Sequence, residues 1–142
     1  MIYLLAQVLL SVALLVPMFS RYHWVSLMIG GIFLFFGVAL YFFSLRALRL
    51  GTFHLTPRPK SDRPLIRTGP YSLIRHPMYA ASLLVFLGVT IGYGDPLKIP
   101  IYIVLVLVLL MKAKQEEVYL KKQFPEYAEY MRTTWRLLPF VF

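Results

Sequence analysis

The chain has 142 residues, 59% of them hydrophobic, with a mean hydropathy of +0.69. Soluble domains are roughly 45–50% apolar, so these long apolar blocks belong in a bilayer, and the length suits one domain. The absence of cysteine excludes disulfides, a thiol nucleophile and thiolate metal sites. The net charge of +9 follows a membrane topology rather than a nucleic-acid surface.

The expected fold is all-α and polytopic: four transmembrane helices over residues 1–19, 24–45, 78–93 and 97–111, then an amphipathic cytoplasmic helical region. The first run has no basic n-region and is long enough to remain as a span rather than be cleaved as a signal. Pro17 ends or kinks it. Gln7 and Ser11, one turn apart, are placed to hydrogen-bond a neighbouring helix or a second subunit. In the second span, Gly30, Gly31 and Gly37 are spaced for close helix approach. Residues 51–64, with Pro57, Pro59 and Pro64, read as an irregular cytoplasmic loop.

Spans three and four are short, roughly 24 and 22 Å at ~1.5 Å per residue, against a hydrocarbon core of ~30 Å. Both are therefore expected to run past the hydrocarbon on the cytoplasmic side. The turn Gly92-Tyr93-Gly94-Asp95-Pro96 joins them as a tight antiparallel hairpin. After Met111 the pattern turns amphipathic, and Pro125 divides it into two short helices at the interface. The tail, residues 137–142, is too short to span and should fold back onto protein or lipid. Residues 1–45 thus form two N-terminal spans, and residues 46–142 carry the chemistry.

The basic residues are asymmetric. Arg46, Arg49, Arg58, Lys60, Arg63, Arg67 and Arg75 lie between spans two and three; Lys112, Lys114, Lys121, Lys122, Arg132 and Arg136 follow span four. The remaining two turns hold only Arg21 and Lys98, so 13 of 15 basic residues share one side. That side is cytoplasmic by the positive-inside rule, with both termini there. No nucleic-acid partner is needed to explain the charge. His23 and His54 lack ligand spacing and read as interfacial, with no metal site. Tyr22, Trp24, Tyr41 and Tyr102 read as belt or packing residues.

The polar chemistry is concentrated in Thr68-Gly69-Pro70-Tyr71-Ser72-Leu73-Ile74-Arg75-His76-Pro77-Met78-Tyr79 and in Glu116-Glu117. Gly69-Pro70 forces a turn. His76 precedes a proline and is biased away from the α region, while Pro77 suits the first turn of a helix. Span three should therefore start at Pro77 with free N–H groups and a positive dipole end facing the loop. Glu116-Glu117 sits where the last span leaves the membrane. One carboxylate could accept bonds from a ribose diol or hold an ammonium group, and only one should face a site, because adjacent helical residues point about 100° apart.

Gly69-Pro70-Tyr71, Arg75-His76-Pro77 and Tyr79, followed by Glu116-Glu117, Leu120, Phe124-Pro125, Tyr127, Tyr130 and Leu138-Pro139-Phe140, resemble the isoprenylcysteine carboxyl methyltransferase family, related to the membrane phospholipid methyltransferases. The resemblance covers residues 68–140, about half the chain. It implies a multi-span enzyme using S-adenosyl-L-methionine. In that reading Thr68, Gly69, Pro70, Tyr71, His76, Pro77, Met78 and Tyr79 line the cofactor pocket, and Glu116 or Glu117 closes it. Two positions depart from the family pattern. Ala81 stands where a glycine is usual, and Lys112 and Lys114 stand where arginines often precede the glutamates, replacing a bidentate fork with a point charge.

The expected activity is O-methylation of the carboxylate of an isoprenylcysteine or similar lipophilic acceptor entering from the bilayer, among membrane lipids. Arg75, Glu116 and Glu117 form the expected catalytic set, with Arg75 orienting the acceptor's carboxylate or phosphate. An ionised carboxylate needs no general base, so alignment and exclusion of water supply most of the catalysis. Tyr71 or Tyr79 is suited to face a sulfonium. The alternatives are a phospholipid N-methyltransferase, an NADPH-dependent membrane reductase of the sterol-reductase kind and a non-catalytic scaffold.

Overall fold

A computed structural model describes residues 2–16, 23–50 and 65–140, without the side chains of residues 49 and 50. Pro17, Arg21, Tyr22, His54, the proline-rich loop 51–64 and residues 141–142 lie outside the described residues. The chain is mostly helical: α1 (Ile2–Leu15), α2 (Trp24–Leu50), a 3-10 turn (Gly69–Ser72), α3 (Pro77–Tyr93), α4 (Lys98–Gln123) and α5 (Tyr127–Thr133).

Among the described residues one helix, Trp24–Leu48, is by length and composition long and apolar enough to cross a membrane; α1 and α3 are shorter apolar helices. At ~1.5 Å per residue, the 14 residues of α1 rise about 21 Å and the 17 of α3 about 26 Å. The first expected C-terminal helix is not separate. It is the continuation of α4, which runs unbroken for 26 residues from the apolar turn into Lys121 and Lys122. Nothing in residues 112–123 breaks a helix, and the chain turns extended only at Phe124, ahead of Pro125.

α2 and α3 run antiparallel with their backbones in contact. A Cβ on Gly88 would lie 2.6 Å from the Gly30 carbonyl oxygen and 2.9 Å from the Leu34 nitrogen, and a Cβ on Gly37 would lie 2.8 Å from the Val85 nitrogen. Gly31, by contrast, faces open space. Only a missing side chain lets the two helices approach so closely. Gly88→Val should therefore lower thermal stability in detergent by about 1–3 kcal/mol through overpacking, whereas Gly31→Ala should leave it unchanged or raised.

α1 packs antiparallel on α4 through the fully buried Leu14, Leu105 and Leu109. The last carbonyls of α1 would have no intrahelical partner, and the α3–α4 hairpin supplies them. The completely buried Lys98 donates from Nζ to the Leu14 oxygen (2.5 Å) and the Val16 oxygen (2.7 Å), with its ammonium 4.5 Å from the centre of the Tyr93 ring. The Tyr93 hydroxyl donates to the Leu15 oxygen at 3.2 Å. Gly94 adopts the left-handed conformation (φ 61°) that ends α3 and begins this turn. With that end of the bundle fixed, the start of α1, the end of α2, the start of α3 and the charged end of α4 meet at the other.

Candidate active site

At that opposite end the glycine-proline turn, a short extended segment and the C-terminal tail are knitted together by backbone bonds. Gly69 has φ +62°, a conformation that favours glycine, and a Cβ there would also crowd the Ala47 methyl at 3.3 Å. The Ser72 hydroxyl donates to the Gly69 oxygen (2.7 Å) and the Tyr130 hydroxyl to the Tyr71 oxygen (2.5 Å), fastening the turn to α5. Beyond it, Ile74 and Trp135 form a parallel bridge. The Trp135 N–H donates to the Leu73 oxygen, the Arg75 N–H to the Trp135 oxygen and the His76 N–H to the Arg136 oxygen, at 2.8–3.1 Å. Leu137 is buried with Ile74 and Ala80, and Phe140 packs on Trp135, so the tail does fold back onto protein.

His76 then leaves the extended path with φ −123° and ψ 61°, and Pro77 opens α3 as its first residue. The helix start is less open than expected. The N–H groups of Tyr79 and Ala80 both donate to the His76 oxygen, at 3.0 and 3.1 Å.

The two glutamates part company. Glu117 points inward, its side chain only 4% exposed. It accepts from Arg75 Nε at 2.8 Å and from Arg136 through Nε and Nη2 at 2.8–3.1 Å, a two-pronged grip. Burial raises the Glu117 carboxyl, but the adjacent His76 ring and the two guanidinium groups outweigh it and hold the group well below the usual carboxylate range. Arg75 also donates from Nη1 to the Met131 oxygen (3.2 Å) and to the carbonyl and hydroxyl oxygens of Thr134. Its guanidinium is thus turned inward, tying α5 and the tail to α4, rather than outward towards an acceptor.

Glu116 points outward, its side chain 46% exposed. It accepts from the Tyr79 hydroxyl at 2.6 Å and lies 3.6 Å from His76 Nδ1. The His76 and Tyr79 rings are stacked, centroids 5.3 Å apart and 4° from parallel. His76 Nε2 lies 3.5 Å from Glu117 Oε1, buried and without a hydrogen-bond partner among the described residues. Burial pushes Tyr71 and Tyr130 up to about 12, so both are neutral phenols at physiological pH. Thr68 is exposed at the mouth of the turn and Met78 half-buried on the first turn of α3.

The structure therefore brings the two motif segments together around one histidine. Two partners went unread in the sequence, Arg136 and Thr134, while Tyr130 entered only as a motif position without a role. Arg136 counted only as a topological charge. The available signal was its isolation between the apolar Trp135 and Leu137, where a lone cation calls for a buried anion.

The sequence profile of the phospholipid methyltransferase family matches residues 25–127, more than half of the chain. The chain belongs to that family. Among curated relatives, it is 35% identical over 82 residues to the cobalt-zinc-cadmium resistance protein CzcN of Cupriavidus metallidurans. It is 31% identical over 85 residues to the nickel-cobalt-cadmium resistance protein NccN of Alcaligenes xylosoxydans xylosoxydans. Each match covers 56% of this chain and 38% of the relative, so the chain spans well under half the length of either. Among the described residues no three His, Asp or Glu side chains are grouped as metal ligands. Membership of a methyltransferase family favours methyl transfer over nicotinamide chemistry.

Proposed function

We propose that the protein is a polytopic membrane methyltransferase that uses S-adenosyl-L-methionine to O-methylate the carboxylate of an isoprenylcysteine or a similar lipophilic acceptor. Four helices cross the bilayer in this reading, both termini are cytoplasmic, and residues 46–142 carry the catalytic region. One observation supports it most: the exposed carboxylate of Glu116, held at 2.6 Å by the Tyr79 hydroxyl beside the His76 ring, in a chain of this family.

The residues fit the cofactor's chemistry. A carboxylate fixed by a phenol is a charged acceptor suited to a ribose diol or an ammonium group. The stacked aromatic pair offers a surface that attracts a desolvated sulfonium by ~1–2 kcal/mol. When bound, S-adenosylmethionine supplies an electrophilic methyl group on a positively charged sulfur. Glu116 anchors, Tyr71 and Tyr79 flank, and the buried Glu117 cluster keeps the motif loop, α4 and the tail in fixed relation. Alignment of the acceptor oxygen and exclusion of water supply the rate. An ionised carboxylate brings no proton to remove, which suits a site whose other glutamate is locked between two arginines.

Phospholipid N-methylation is the second reading, favoured by the name of the family. There the acceptor amine must release a proton as its N–C bond forms, and Glu116 is the exposed carboxylate available to take it. Purified protein incubated with methyl-labelled S-adenosylmethionine should label N-acetyl-S-farnesylcysteine and leave phosphatidylethanolamine vesicles unlabelled. Label in the vesicles alone would replace the first reading with the second, and label in neither acceptor would remove both.

A further inference from the structure

We propose that the crevice between the glycine-proline turn and α5 holds the headgroup of an amine-bearing phospholipid, its phosphate on Arg67 and its primary ammonium among Glu129, Ser72 and Thr133. This site is separate from the one argued above for the methyl donor and does not depend on the methyltransferase reading. A cavity of about 200 Å³ is lined by Arg67, Ser72, Glu129, Tyr130, Thr133 and Thr134. His76, Tyr79 and Glu116 take no part in its walls. Arg75 joins the two regions from within, bonded through Nη1 to Thr134 and through Nε to Glu117.

Arg67 and Glu129 line one cavity, yet each keeps its charge available. The Arg67 guanidinium lies 5.6 Å from the centre of the Tyr130 ring, donates to the Glu126 carbonyl oxygen at 3.2 Å and meets the Glu126 carboxylate only at 3.7 Å. A guanidinium carries five donors, so most of this one remains unused. Among the described residues no ion pair involves Glu129. A simple anion in the cavity would face Glu129, and a simple cation would face Arg67, so repulsion disfavours both. A ligand carrying one charge of each sign meets a partner at both ends.

The hydroxyls decide which end is which. Ser72 donates its proton to the Gly69 oxygen at 2.7 Å, and Thr133 and Thr134 donate theirs to the Tyr130 oxygen at 3.2 and 2.5 Å. A hydroxyl has one donor and two acceptor lone pairs, so Ser72 and Thr133 offer the cavity acceptors alone. With the Glu129 carboxylate, one turn before Thr133 on α5, they match the three N–H donors of a primary ammonium. A quaternary ammonium has none to give. The planar fork of Arg67 matches the oxygens of a phosphate.

The neighbouring surface favours a lipid over a free phosphoamine. Leu73, Leu138 and Phe140 are 42%, 55% and 81% exposed. Leu73 directly follows Ser72. Trp135 directly follows Thr134, donates its N–H to the Leu73 oxygen and carries Phe140 on its ring. The polar cavity therefore opens beside an apolar rim, at the end of the bundle that holds the charged residues. Together they fit an amphiphile at a membrane surface.

Native mass spectrometry of the full chain released from detergent tests this, with the first lipid adduct counted in separate titrations. The probes are dihexanoyl phosphatidylethanolamine, phosphatidylcholine and phosphatidylglycerol, and free phosphoethanolamine; no methyl donor is present. The parent should take up phosphatidylethanolamine roughly tenfold more tightly than the choline or glycerol lipid. Glu129→Gln should bring the ethanolamine-to-choline ratio close to one, and Thr133→Val should reduce it. Arg67→Gln should weaken the ethanolamine and choline lipids alike, leaving their ratio in place. Equal affinity of the parent for all three lipids would overturn the proposal, as would an ethanolamine preference undiminished in Glu129→Gln. Free phosphoethanolamine binding as tightly as its lipid would overturn the assignment to a membrane ligand.

Discussion

Glu117→Gln should destabilise the protein by about 3–5 kcal/mol, because it leaves two guanidinium groups facing each other across a buried gap with no negative charge between them. In a chain of this size that corresponds to a fall in Tm on the order of 10 °C, read by thermal denaturation in detergent. The loss should be cooperative. The same carboxylate fastens α4 to Arg75 in the motif loop and to Arg136 in the tail, so α5 and the Ile74–Trp135 bridge lose their anchor together. The pH dependence separates this role from simple packing. The carboxyl binds its proton more weakly folded than unfolded, so its contribution is complete above the ordinary value of 4.5 and declines as pH falls below it. Parent and variant should therefore differ by a constant amount from pH 7 to about 5 and converge at lower pH. A variant with the parent's Tm at neutral pH would show that the cluster contributes nothing.

Glu116→Ala should give the opposite pattern one residue away. Its side chain is half in solvent and, among the described residues, meets Tyr79 and the edge of His76, so Tm should move by no more than a degree or two. Affinity for S-adenosylhomocysteine should fall about 10- to 100-fold, as expected for losing hydrogen bonds to a charged acceptor worth about 1.5–3 kcal/mol. The ligand-induced rise in Tm of the parent should shrink accordingly. Tyr79→Phe should produce a milder version, since the carboxylate remains but its orientation is released. An undiminished ligand-induced rise in Glu116→Ala would take this residue out of the site.

Much of this site was legible before any coordinates, and the reasons are local. Pro77 fixes a helix start through its own ring, Gly69 and Gly94 mark turns through conformations other residues avoid, and Pro125 ends α4 through its missing N–H. The small residues of α2 announced close packing, although spacing alone did not separate Gly30, which meets Gly88, from Gly31, which meets nothing. What the sequence hid was long-range. Arg75 was expected to face the acceptor because an arginine beside a histidine in a polar motif looks available. Its inward turn depends on Thr134 and Met131, some sixty residues later, whose carbonyl oxygens carry no sequence signal. Likewise, adjacent glutamates look equivalent until α4 is rotated into place.

The central claim is that His76, Tyr79 and Glu116, from two distant stretches of chain, jointly hold one adenosyl donor. Calorimetric titration of the purified protein with S-adenosylhomocysteine tests it most directly. One molecule bound per chain, with affinity lost in His76→Ala while the fold survives, is the expected result. Absence of measurable binding by the parent protein would contradict the account at its root.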